Sequence, residues 1–289
     1  MILIADSGST KCDWVVLGKD KRVILKTGTK GINPRLLSVY QICEILHENK
    51  ELYRLKEDIK KVLFYGAGCA EGESKLNLIK ILNDYFPNAK VLVEEDLTAA
   101  VRGTTSFPGV VCILGTGSNC CFYDGVDIHV HQASLGYVVM DEGSGNYFGK
   151  QLLRSYFYNK MPPELHKKFE KSFDVSLDLI LKNLYETENP SAYLGNFASF
   201  LIHNRTEPFI VSIIEKGIVE LFDTLIACYK KELENSPLHF VGSIAYYLQK
   251  EILLEAKKRH IKIRSFVKRP IDNIVANVNN ILGQHTLPT

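Results

Sequence analysis

The run Val110-Val111-Cys112-Ile113-Leu114-Gly115-Thr116-Gly117-Ser118-Asn119 changes character halfway along. Its first five residues are apolar and mostly β-branched, as in a strand buried on both faces. It then stops at a tight turn of small and hydroxyl-bearing residues, and Cys120 to Tyr123 returns as a second short strand. Two glycines let the backbone of such a turn come close to a ligand. Its amides and hydroxyls suit a compact anion, of which phosphate is the commonest. A plain hairpin has the same pattern. What adds weight is a second turn near the N-terminus, where the buried-type strand Ile2 to Ala5 ends at Asp6-Ser7-Gly8-Ser9-Thr10.

Around each turn the order of elements repeats. After the first come strands at Asp13 to Leu17 and Arg22 to Lys26, then an amphipathic helix opened by Asn33-Pro34. Leu36, Leu37, Tyr40, Ile45 and Leu46 are its apolar positions. A strand at Lys61 to Tyr65, a helix at Ser74 to Tyr85, a strand at Lys90 to Glu94 and a brief helix at Leu97 to Arg102 follow. At Phe107-Pro108-Gly109 the pattern restarts with Val110 to Leu114, Cys120 to Tyr123 and Ile128 to Gln132. A long helical region comes next, broken at Pro162-Pro163, Asn189-Pro190 and Glu207-Pro208. Leu238 to Val241, a helix from Ala245 to Arg259, Ile261 to Val267 and a last helix from Pro270 to Leu282 close the chain. The fold class is therefore α/β, two lobes each running β-β-β-α-β-α-β-α. The expected lobes span 1–106 and 107–289, with a helical insertion in the second at about 146–235. The last helix, about 271–289, is expected to pack back on the first lobe.

With 289 residues the chain is long enough for two cores, and 46% hydrophobic with 24% charged residues is an ordinary soluble composition. The net charge of +2 is scattered. Lys257-Lys258-Arg259-His260 is the one basic cluster, and it reads as a solvated helix end, so no nucleic-acid partner is implied. Seven cysteines form no CxxC or Cys/His metal spacing and fit a reducing compartment. No apolar run nears the ~20 residues that span a bilayer, and with the first strand read from Ile2 no cleaved leader is expected. The expected location is the cytoplasm, with no membrane partner.

The two small-residue turns, one per half, are expected to face each other across a cleft, each offering amides and hydroxyls to one end of a triphosphate. Phosphoryl transfer needs mainly positioning and charge neutralisation. Asp6 suits Mg²⁺ held through water; its competing role is an Asx turn. Asp96, just beyond a strand and at the start of a helix, suits a base that takes a proton from a hydroxyl; its competing role is a helix N-cap.

The ordered set of motifs resembles the actin/hexokinase/Hsp70-type ATPase superfamily. Within it, the chain is similar to the BadF/BadG/BcrA/BcrD-type ATPases that include N-acetylglucosamine kinase. Asp6-Ser7-Gly8-Ser9-Thr10 stands at the first phosphate motif, Gly115-Thr116-Gly117-Ser118-Asn119-Cys120 at the second, and Phe240-Val241-Gly242-Ser243-Ile244 at the adenosine motif. Asp141-Glu142-Gly143-Ser144 matches the sugar loop and Glu95-Asp96 the catalytic acid. The resemblance implies two ribonuclease H-like (actin-like ATPase) lobes and ATP with Mg²⁺ as cofactors. Transfer would be to the 6-hydroxyl of N-acetylglucosamine or a related amino sugar. It makes Asp96 the catalytic base. Gly8, Ser9 and Thr10 become contacts of the β- and γ-phosphates, Gly115, Thr116 and Gly117 the grip on the γ-phosphate, and Gly242 and Ser243 the adenosine site. Asn33, Gly136, Asp141, Glu142, Gly143 and Ser144 become sugar-binding positions beside Asp96. Ser243 stands where many superfamily members have a second glycine, and Met140 where a small residue precedes the sugar loop. Capping by Asn33 and an acidic surface loop at Asp141-Glu142 are the competing roles. Relatives of this kind often pair as homodimers.

Two other functions share the fold. Activator ATPases of 2-hydroxyacyl-CoA dehydratases carry a cluster-ligating cysteine just before the second turn. Leu114 stands there, and the vicinal Cys120-Cys121 point to opposite faces of their strand. Non-catalytic sugar-binding regulators usually begin with a helix-turn-helix, whereas this chain begins with a strand.

Overall fold

The computed structural model describes residues 1–187 and 189–284. They form two compact units, one of 1–105 with the chain from Arg269 on, the other of 106–268. The part of the expected last helix beyond 284 lies outside the described residues.

In the first unit β1 (Ile2–Ser7), β2 (Lys11–Leu17), β3 (Val23–Lys30), β4 (Lys61–Gly66) and β5 (Lys90–Glu95) form one sheet in the order β3-β2-β1-β4-β5. The first three strands are an antiparallel meander, while β4 and β5 run parallel to β1. Parallel strands are buried on both faces, which is why β1 and β4 read as unbroken apolar runs. Side chains alternate across the sheet. Leu3, Ala5, Trp14, Val62 and Phe64 meet the helices Val39–Glu48 and Glu73–Tyr85. Ile4, Val15, Leu17, Leu63 and Tyr65 meet Ala99 and the apolar stripe Ile271, Ile274, Val278 and Ile281.

Two elements here differ from expectation. The helix assigned to Asn33-Pro34 starts five residues later, because Ser38 and Gln41 form a reciprocal capping box: Ser38 Oγ accepts from Gln41 N–H and Gln41 Oε1 from Ser38 N–H. Leu36 and Tyr40, counted as apolar positions of that helix, are exposed. The last helix is two, Pro270–Ala276 and Val278–Gln284.

The second unit repeats the arrangement. β6 (Gly109–Leu114), β7 (Ser118–Tyr123), β8 (Ile128–His129), β9 (Leu238–Val241) and β10 (Ile263–Val267) lie in the order β10-β9-β6-β7-β8. Again the first three are antiparallel and the last two parallel to the first. The strand expected over Ile128 to Gln132 stops at His129. The Cys120 carbonyl instead accepts from Gln132 Nε2 (3.1 Å) and from the Tyr229 hydroxyl (2.5 Å). Helices fill the span from Gly145–Phe157 to Lys230–Leu233. The helices Pro163–Ser172, Pro190–Asn196 and Pro208–Asp223 each begin with proline, whose missing N–H costs nothing in a first turn. Phe169, Phe173, Phe197 and Phe200 pack together among them, Phe169 stacked on Phe197 and edge-on to Phe200. The helix expected over Ala245 to Arg259 is two, Ser243–Tyr247 and Gln249–Lys258. Each unit thus shows the expected strand order, but the helix that would close the second repeat belongs to the first unit. Among the described residues no helix is long and apolar enough to cross a membrane.

Candidate active site

In the first unit the carboxyl ends of β1, β4 and β5 share one edge of the sheet, where open α/β sheets gather ligand groups. Asp6 sits at the end of β1, and the hairpin that follows is closed by Gly8 N–H donating to Lys11 O (3.0 Å). The Ser7 hydroxyl, fully buried, accepts from Ile32 N–H (2.8 Å) and donates to Ile32 O (3.1 Å). Gly31 donates to Thr10 O (3.1 Å), and a Cβ at Gly31 would stand 2.2 Å from Gly8 O. Only glycine permits that approach. These contacts carry Asn33 to the same edge, where its Oδ1 accepts from Arg35 N–H (3.0 Å). Asn33 also lies against Gly68, in the turn after β4: a Cβ there would stand 2.1 Å from Asn33 Oδ1. Asn33 therefore makes an Asx turn and does not fill its competing role as a helix cap.

Asp96 is the first residue of the helix Asp96–Arg102, and Glu95 occupies the cap position. Its carboxylate accepts from Leu97 N–H (3.0 Å). Burial, with Glu95 adding to it, pushes the Asp96 carboxyl up to about 6. Asp6 faces Asp13 across the β1–β2 ladder. Burial first, then Asp13 and Asp96, push the Asp6 carboxyl up to about 7. Asp13 is paired with Lys11 (3.0 Å) and with Arg269 (3.4 Å). Asp13 and Arg269 escaped the sequence reading. The first shows its importance only once the hairpin register is known, and the second arrives from the far end of the chain.

In the second unit β6 ends at Leu114, and the turn that starts at Gly115 is held by its own bond and by the start of the helix Gly145–Phe157. Gly115 N–H donates to Gly117 O (3.0 Å), Gly145 N–H to Gly115 O (2.8 Å) and Asn146 N–H to Thr116 O (2.9 Å). The Gly115 and Thr116 carbonyls are thus taken up by the start of the helix Gly145–Phe157, and the Gly117 carbonyl closes the turn on Gly115 N–H, which keeps all three away from a bound anion. A Cβ at Gly115 would meet nothing within 4 Å. Gly242 has φ 116°, and a Cβ there would stand 2.6 Å from Leu114 O. Its missing side chain makes room for the peptide after β6, a use the sequence did not reveal. Ser243 opens the helix Ser243–Tyr247.

The loop before the helix Gly145–Phe157 begins at Gly136, whose carbonyl accepts from Met140 N–H (2.8 Å) and whose φ is 75°. Asp141 is 7% exposed and has φ 74°; Glu142 beside it is half-buried. Gly143, φ 68°, lies on the helix Pro208–Asp223, where a Cβ would stand 3.1 Å from Leu221 Cβ. Ser144, fully buried, is the N-cap of Gly145–Phe157, its Oγ accepting from Tyr147 N–H (3.3 Å). The absent side chain at Gly143 thus serves packing, and Ser144 serves capping, with its own N–H donating to Asp141 O (3.2 Å) and its carbonyl accepting from Phe148 N–H (3.0 Å). Asn146, missed in the sequence, is fully buried in the same cluster. Its signal was its position just after the loop motif. Cys120 and Cys121 are both buried free thiols; burial drives the Cys120 thiol well above its ordinary range.

Two sheets of one topology, each with a small-residue turn after its first strand, define an α/β protein of the actin-like ATPase fold. No family model matches the sequence. A Porphyromonas gingivalis protein described as a "Putative N-acetylglucosamine Kinase" is 30% identical, with 97% of this chain and 100% of that chain covered and a TM-score of 0.87. The chain belongs to its family, the N-acetylglucosamine kinase-like proteins of this fold. A protein of the same description from Chromobacterium violaceum (13% identity, 95% and 97% covered, TM-score 0.65) is similar in fold. So is a ROK family glucokinase from Streptomyces griseus, in complex with glucose and AMPPNP (14%, 94% and 96%, 0.53).

Proposed function

We propose that this protein is an ATP-dependent sugar kinase of the BadF/BadG/BcrA/BcrD-type branch. It phosphorylates N-acetylglucosamine or a close amino sugar at the 6-hydroxyl. The observation that carries the reading is Asp96, a carboxylate at the carboxyl edge of a parallel sheet whose burial holds it at about 6. That value leaves it ionised near neutrality yet basic enough to take a proton from a sugar hydroxyl. As the hydroxyl oxygen attacks the γ-phosphorus, its proton passes to Asp96, the bond to the β-phosphate oxygen breaks and ADP leaves.

Gly8, Ser9 and Thr10 contact the β- and γ-phosphates, Gly115, Thr116 and Gly117 the γ-phosphate, and Gly242 and Ser243 the adenosine. Asn33 and the loop from Gly136 through Asp141 and Glu142 to Ser144 hold the sugar. The acidic pair Asp6 and Asp13 fits Mg²⁺, which Asp6 would hold through water. The ion would neutralise charge on the phosphates. Among the described residues no group of three or more His, Cys, Asp or Glu is placed to enclose a metal. Its free thiols support a cytoplasmic location, and we expect a homodimer.

Asp96→Asn should lower kcat by roughly 10²–10⁴-fold while leaving AMPPNP affinity near wild type. A wild-type rate in that variant would reject the base. A coupled ADP-release assay over hexoses and amino sugars tests the acceptor, and no turnover on any amino sugar would reject it.

A further inference from the structure

We propose that Glu94, Arg102 and Tyr65 form a clamp that sets the direction of the Asp96 side chain, with Glu94 and Arg102 as positioning residues for the reaction. Asp96 is the turning point between β5 and the helix Asp96–Arg102, and the clamp closes around that turn from both sides. Glu94 stands two residues before Asp96, and Arg102 ends the helix that Asp96 opens. Arg102 Nη2 donates to Glu94 Oε1 (3.2 Å), and Nη1 donates to Glu94 Oε2 and to the Tyr65 hydroxyl (2.8 Å). Tyr65 and Glu94 are partners in the parallel ladder of β4 and β5. The guanidinium is therefore fixed to two strands, and the carboxylate meets it with both oxygens. Such a fork fixes direction as well as distance, which a single bond does not.

The helix needs such an anchor. It has seven residues, about two turns, and a helix this short does not hold its own axis in water. Leu97, Ala99 and Val101 are buried, but apolar burial is not directional. The ion pair supplies the direction, and with side chains only 18% and 21% exposed it is little screened. The returning chain holds the next residue, Asn273 Nδ2 donating to Gly103 O (2.6 Å), so the same helix end is tied to the sheet and to the last helices. A base has to be kept within about 0.5 Å and 10–20° of its productive geometry. Glu94 and Arg102 satisfy each other, and their effect on the reaction passes through Asp96.

The inference rests on Asp96 being the base, and the experiment separates the two. At a temperature where every variant is folded, Arg102→Met and Glu94→Gln should each lower kcat about tenfold or more. KM for N-acetylglucosamine and for Mg·ATP should change less than about threefold. The double variant Glu94→Arg/Arg102→Glu restores the pair with its charges exchanged, the Tyr65 hydroxyl now donating, and should recover most of the lost kcat. Amide exchange in peptides across 95–103, measured without substrate, should quicken in both single variants and slow again in the double one. The proposal is overturned if kcat holds in the single variants, or if KM rises in its place. It is equally overturned if the double variant regains its melting temperature without regaining kcat and exchange protection. A wild-type rate in Asp96→Asn rejects the base and this inference with it, whereas a slow Asp96→Asn beside unaffected Arg102→Met and Glu94→Gln rejects the clamp alone.

Discussion

Asp6 carries a charge that its surroundings resist. Its carboxyl is pushed up to about 7 by burial and by Asp13 and Asp96, whereas an unfolded aspartate titrates near 3.8. Between those values the folded state binds the extra proton, so stability falls as pH rises through this window. Asp6→Asn should therefore raise the melting temperature at pH 8, and the gain should shrink toward zero by pH 4. A gain that is flat with pH would mean that the charge is not its source. The same carboxylate, facing Asp13, is what a phosphate-bound cation would find, so stability is given up where function needs negative charge. Asp96 gives a kinetic counterpart: kcat/KM should rise with pH through about 6, the range in which its carboxyl ionises. A profile flat from pH 5 to 7 would separate Asp96 from proton transfer. These two aspartates were legible because each ends an apolar strand. Asp13, Asn146 and Arg269 were not, since a strand register, a helix N-terminus and a long chain return give them their places.

Elements were legible where a single residue type dictates the backbone, and misread where two local solutions competed. Proline at the start of three helices marks their first turns, and the short apolar runs of β1, β4, β6 and β9 became buried strands. At Asn33-Pro34 the proline signal lost to the capping box at Ser38 and Gln41. Past His129 the strand pattern lost to Tyr229, a residue about a hundred positions away. Gly149 shows the opposite case, a residue poor for its element and required by its neighbour. It lies within the helix Gly145–Phe157, where alanine would favour the helix by about 1 kcal/mol. A Cβ there would stand 1.9 Å from Leu194 O, in the helix Pro190–Asn196. Forcing those helices apart costs about 1–3 kcal/mol, or more when backbone is in the way. Gly149→Ala should lower the urea midpoint and, because Gly195 abuts Thr116 Cγ2, loosen the turn as well. A higher midpoint would show that helix propensity outweighs the contact.

At the scale of the whole molecule, the chain builds the first sheet, completes the second unit, and only then supplies the first unit with part of its core. The repeated strand order was readable from two turns and their flanking runs. The return was expected from the order of elements alone, because an amphipathic stripe names a face to be buried without naming the residues it meets. Ile271, Ile274, Val278 and Ile281 cover Ile4, Leu63 and Tyr65 on one face of the first sheet. Burying a side chain of this size contributes about 1.5–3 kcal/mol, so the four together bring roughly 6–12 kcal/mol. That is of the order of the whole stability of a domain, about 5–15 kcal/mol. A chain ended at Lys268 should therefore leave 1–105 open to proteases, while fragments from 106–268 survive longer. Ile274→Ala, which keeps the helix, should destabilise by about 2–5 kcal/mol and increase cleavage in the same region. If the shortened chain protects 1–105 as well as the full one does, the last helices are an accessory. If Ile274→Ala alone reproduces the cleavage pattern in graded form, the folding of the half that carries Asp6 and Asp96 waits on the end of the chain.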